Sequence, residues 1–150
     1  MINVIILIVL RVIIMKLTRT EAREKIMIIL YQIDFYIKND ISFDLEEVIK
    51  ENLEIDNKYV RDIVNGVIEN IDTIDSTINK YLENWDLDRL GKTDKAILRL
   101  GTYELLYYDT PKIVVINEAV ELAKKYSDDK VVKLINAVLD KIRDNEEVNE

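Results

Sequence analysis

Apolar residues recur at steps of three and four along most of the chain, the spacing that gathers them on one face of a helix. Ala22, Ile26, Ile29, Leu30 and Ile33 predict a first helix running to about Lys38. At its start, Thr18 and Glu21 form a capping box, a hydroxyl and a carboxylate placed to satisfy orphan backbone N–H groups. Asp44 with Glu47 opens a short second helix over 44–53. The stripe Val60, Ile63, Val64, Val67, Ile68, Ile71, Ile74, Ile78, Tyr81 and Leu82 predicts one long helix, or two with a break near Asp72–Thr73. Trp85, Leu87, Leu90 and Gly91 form a connection, after which Thr93 is placed to cap a helix through Tyr108. Pro111 ends that helix and suits the start of the next, which Ile113, Ile116, Ala119, Val120 and Ala123 carry to Tyr126. Asp128 or Asp129 caps a last helix with Val131, Leu134, Ile135, Val138, Leu139 and Ile142 in phase, and an acidic tail over 144–150 is expected to fray. No alternation of period two persists, so the expected fold is all-α, a compact bundle of about seven helices.

The first fourteen residues, MINVIILIVLRVII, depart from this pattern, because only Asn3 and Arg11 interrupt the apolar run. The longest unbroken stretch, Val4 to Leu10, is far short of the roughly 18 residues a membrane span needs. Basic flanking residues and a small-residue cleavage site, the marks of a secretory signal, are absent too. The segment reads as upstream sequence translated from a mis-assigned start, with Met15 as the native one and 15–143 as the working domain. A short hydrophobic anchor is the alternative. No membrane association and a cytoplasmic location are the expectation.

Composition narrows the chemistry. A chain of 150 residues buries roughly 68–70% of its unfolded surface around a single core. It has no Cys and no His, which removes thiol nucleophiles, thiolate metal sites and the usual general base. Gly66, Gly91 and Gly101 stand too far apart to cradle a phosphate. No catalytic residue, cofactor or metal is therefore expected. The net charge of −8 argues against nucleic acid, yet it is uneven. Residues 34–56 carry a net −6, whereas 16–25, with Lys16, Arg19, Arg23 and Lys25 against Glu21 and Glu24, carry +2.

The segment Arg89 to Tyr107, RLGKTDKAILRLGTYELLY, resembles the NusB family of transcription antitermination proteins. So do Asp109-Thr110-Pro111-Lys112, the run Ile116 to Tyr126, Ala22-Arg23-Glu24, Leu30-Tyr31-Gln32, and Asn136 with Val138-Leu139-Asp140-Lys141. The likeness spans Met15 to Arg143 in order. It implies a helical, non-catalytic protein that pairs with NusE, a ribosomal small-subunit protein. In that family the pair binds single-stranded boxA RNA in ribosomal RNA leaders and joins the RNA polymerase elongation complex to read through terminators. Whether the free protein forms a homodimer is left open by the sequence. A helical protein-interaction module without RNA is the competing class, and the acidic charge suits it better. A methyltransferase with a NusB-like end has no room for its catalytic domain.

Lys16, Arg19 and Arg23 lie at steps that a helix places on one side, where the resemblance implies contacts to RNA phosphates. From spacing alone, a solvated face with ordinary salt bridges is the better reading. Thr20 and Glu21 stand where many relatives carry arginine, which thins the cationic surface. In the last helix Lys133 remains available to phosphate, but Leu134 replaces an aromatic and reads as core. Asp88 and Asp94, at the start of the motif helix, resemble the surface for basic NusE. Asp94 also suits a helix N-terminus, where the dipole favours a carboxylate. Among Tyr31, Trp85, Tyr103 and Tyr107, packing is the expectation for all but Tyr31, which is assigned to the partner surface.

Overall fold

The computed structural model describes residues 3–146. Eight α-helices and one 3-10 turn occupy these residues, with no strand among them. They are α1 (Val4–Met15), α2 (Arg19–Lys38), α3 (Leu45–Glu51), α4 (Lys58–Glu69), α5 (Ile71–Tyr81), the 3-10 turn Leu87–Arg89, α6 (Lys92–Tyr107), α7 (Lys112–Tyr126) and α8 (Asp129–Asn145).

Local chemistry sets most of the boundaries. The capping box forms as read: Thr18 Oγ1 accepts from the Glu21 N–H, and Glu21 Oε1 accepts from the Thr18 N–H, both at 3.1 Å. Asp44, Asn57 and Asp128 cap α3, α4 and α8 through side-chain oxygens. The long stripe breaks into two helices at Asn70, slightly before the expected place. There the Asn70 amide donates to the Gly66 carbonyl at 2.8 Å and competes with helix continuation. Gly91, not Thr93, precedes α6, and no side chain caps that helix. The last helix continues past Arg143 to Asn145, and Glu146 accepts from Lys80 and Tyr81. The rest of the expected tail, 147–150, lies outside the described residues.

α6 is the axis of the bundle. It packs against α2, α4, α5, α7 and α8, while α3 rests on α2. Ile26, Ile29 and Ile33 of α2, Ile63 and Val67 of α4, Ile74 and Ile78 of α5, Ile97, Leu98 and Leu105 of α6, Ala123 of α7 and Ile135 and Leu139 of α8 are fully buried between them. Two glycines permit the closest crossings. A Cβ on Gly66 would run into the Tyr103 ring, and one on Gly101 would lie 3.1 Å from Leu139.

α1 stands apart. Its side chains from Val4 to Ile13 are exposed, and none joins the core. Met1 and Ile2, part of the same expected extension, lie outside the described residues. Among the described residues no helix is long and apolar enough to cross a membrane.

Candidate RNA and partner interfaces

Arg19 is the first residue of α2, and its guanidinium carbon lies over the Tyr59 ring, 3.8 Å from the centroid. Among the described residues it donates no side-chain hydrogen bond and meets no carboxylate, so its charge faces solvent.

Arg23, one turn later, is buried on the inner side of the same Tyr59 ring, and this corrects the expectation of three cations on one exposed helix face. It is 5% exposed, drawn inward by two carboxylates. Its Nε and Nη2 donate to Glu104 at 3.2 and 3.0 Å, and Nη1 lies 3.8 Å from Glu118. The Tyr59 hydroxyl donates to the same Glu104 carboxylate, and Thr20 donates to Glu118. Burial works against the Arg23 charge, but the hydrogen bonds and charge of Glu104 prevail and raise its pKa. For Tyr59, burial first and Glu104 second push the phenol well up, so it stays a neutral donor.

Lys16 lies in the extended link before α2, not on the helix. It lines a cleft of about 300 Å³ with Leu17, Lys25, Leu53 and Ile55, and Glu54 and Asp56 line the same cleft. Lys25, absent from the residues singled out by spacing, is thus the third cation at this end, and no carboxylate pairs with it among the described residues. The extended turn at Lys16–Thr18 brings the two lysines together, which helical stepping does not reveal.

Lys133 is exposed on α8, whose packing is with α5, α6 and α7, so the structure does not gather it with the α2 cations. Leu134 is half-buried against the core, as expected. Tyr103 packs over Gly66 and meets Tyr107 at a tilt, 5.3 Å between centroids, but Trp85 and Tyr107 are more exposed than expected, at 40% and 38%. Lys130 sits 5.7 Å over the Trp85 ring.

The partner residues divide. Tyr31 and Phe35 are exposed on α2 with the Lys92 ammonium over both rings, and Asp88 has 77% of its side chain in solvent. Lys38 and buried Lys95 approach Asp88 at 3.7 and 3.5 Å, tying the 3-10 turn to α2 and α6. Asp94 does not belong to this open surface. It is 9% exposed in the first turn of α6 and accepts from the Ser127 hydroxyl, so its carboxylate serves the helix terminus and the α7–α8 link.

Behind that face runs a charge network. Lys95 lies 3.4 Å from Asp34, and Arg99 bridges Asp34 at 3.1 Å to Asp75 at 2.8 Å, joining α6 to α2 and α5. Among the described residues no group of three or more carboxylates is arranged to hold a metal ion.

Residues 20–144 match the model of the NusB family. The chain is 46% identical over 128 residues to the transcription antitermination protein NusB of a Nitratiruptor species, covering 83% of this chain and 91% of the relative. The structure of NusB from T. maritima superposes with a TM-score of 0.77 at 39% identity, covering 87% of this chain and 94% of that one. A crystal structure of the antitermination factors NusB and NusE in complex with dsRNA superposes with a TM-score of 0.72 at 34% identity, covering 84% and 96%.

Proposed function

Because the chain belongs to the NusB family, we propose that it is an antitermination factor that binds boxA-type single-stranded RNA as a heterodimer with NusE and joins the RNA polymerase elongation complex to support read-through of ribosomal RNA operons. The observation that carries the RNA part is Arg19, a cation presented to solvent with its donors unused, beside Lys16 and Lys25 at the same end of α2. Phosphate contacts of this kind supply affinity in proportion to the cations offered. With three such cations on a chain of net charge −8, the protein alone binds RNA weakly, and a basic partner supplies the remainder. Lys133 contributes from a separate place on α8. The partner side of the proposal rests on the exposed rings of Tyr31 and Phe35 and on Asp88, whose side chain is 77% exposed and which Lys38 ties to the same helix. The working unit is α2–α8, with α1 outside it.

Fluorescence anisotropy of a labelled boxA-type RNA, with and without NusE, tests this across a salt series. The expected result is a steep gain on adding NusE, with a salt slope that becomes shallower by about 0.7 in Arg19→Ala for the one phosphate contact removed. An unchanged slope in Arg19→Ala and Lys25→Ala, with NusE still bound, would instead support a helical interaction module that acts without RNA.

A further inference from the structure

Two arginines four residues apart on α2 share one aromatic ring. The Arg19 guanidinium lies 3.8 Å from the Tyr59 centroid and that of Arg23 lies 5.6 Å from it. Their fates differ because of what else each meets. Arg23 is neutralised by the Glu104 carboxylate, which takes two of its donors. Among the described residues, Arg19 meets the ring and no carboxylate.

The ring itself is held by two contacts and is 7% exposed: its hydroxyl donates to Glu104, and it packs edge-to-face with Tyr108 at 5.6 Å between centroids. A phenol whose proton is shared with a carboxylate is electron-rich across its face, which strengthens its attraction for a cation. A contact over the π face leaves N–H donors of an arginine open, as at Arg19, whereas a carboxylate partner occupies them, as at Arg23. An arginine free in solvent loses rotamer entropy when a ligand fixes it, and one already held against a ring has lost part of that beforehand.

We propose that Tyr59, clamped by Glu104, is a positioning residue for RNA: it holds the Arg19 guanidinium at the surface with its N–H fork directed to a phosphate. This rests on the RNA reading of Arg19 given above. Tyr59 itself is too buried to stack on a base, so its effect on binding passes through Arg19.

The test is a double-mutant cycle on the complex with NusE, read by anisotropy of a labelled boxA-type RNA. Its members are the parent, Arg19→Ala, Tyr59→Leu, Tyr59→Phe and each Tyr59 variant combined with Arg19→Ala, with thermal midpoints recorded for all. Tyr59→Leu is expected to weaken binding about two- to five-fold when Arg19 is present and to add nothing when Arg19 is alanine. Tyr59→Phe keeps the ring but frees it from Glu104, and a smaller loss, again confined to the Arg19 background, is expected even if the leucine variant folds poorly. Equal losses in both backgrounds, or no loss in either Tyr59 variant while Arg19→Ala is impaired, would overturn the positioning role and leave the RNA reading standing. Parent-like binding by Arg19→Ala would overturn the RNA site and this inference with it.

Discussion

The Lys95 ammonium lies 3.4 Å from the Asp34 carboxylate where less than a tenth of either side chain meets water. Burial pushes the Lys95 ammonium down from its ordinary range. It would equally push the Asp34 carboxyl up, but the Arg99 hydrogen bond and the Lys95 charge outweigh it and hold that carboxyl below its ordinary value. The pair stands at the junction of α2 with α6, directly behind the Asp88 turn.

Asp34→Asn leaves Lys95 and one arm of Arg99 facing a neutral amide, and near neutral pH it is expected to cost about 3–5 kcal/mol of stability. A carboxyl held low in the native state adds stability above its unfolded pKa of about 3.9, and that addition fades as pH falls through the lower native value. Urea unfolding of parent and variant should therefore show a wide gap near neutrality that narrows below about pH 4.

Arg23→Ala strands the buried Glu104 carboxylate with only Tyr59 as a partner, so a loss of about 3–5 kcal/mol is expected. Arg19→Ala removes one exposed cation–π contact and should cost about 0.5–1 kcal/mol. Chemical denaturation of the two variants side by side checks the contrast, and similar losses would mean that Arg23 is not the structural member of the pair.

Asp88→Lys places a cation where an exposed carboxylate stands on the proposed partner surface, and it should weaken NusE binding more than Asp88→Ala does. Asp94→Lys should act on stability instead, by removing a first-turn carboxylate worth about 0.3–1 kcal/mol together with its bond to Ser127. Calorimetry of each variant with NusE, paired with thermal melts, separates the two.

Much of this was legible in the spacing of apolar residues, because helix faces and caps are local. The capping box, the Asp44 and Asp128 caps and the all-helical class are as read. The site was less legible, since periodicity tells which residues share a face but not which charge lies across from it. Arg19 and Arg23 are equivalent by spacing, and only Glu104, 81 residues on from Arg23, decides that one turns inward. Asp94 and Asp88 likewise differ through Ser127, which the α7–α8 link delivers from far along the chain. Lys25 escaped notice because its neighbour in the cleft, Lys16, reaches it through an extended turn.

A chain beginning at Met15 should melt within a degree or two of the full-length protein, because the α1 side chains from Val4 to Ile13 lie outside the core. It should also stay monodisperse at higher concentration, since the exposed Val, Ile and Leu side chains of α1 form an apolar surface that favours association. Differential scanning calorimetry and light scattering on both forms check the two expectations, and a fall of several degrees would mean that α1 supports the bundle.

α6 is apolar around most of its circumference, and a helix of that kind has many comparably oily ways to settle among its neighbours. Lys95 and Glu104 remove that freedom. A slide of one turn, about 5.4 Å, would carry an ammonium and a carboxylate into hydrocarbon while Asp34 and Arg23 faced nothing. The two buried charges thus act as teeth in a key. Mis-docked compact states that hydrophobic collapse alone would tolerate are penalised, and the central helix is left with a single setting in the lock.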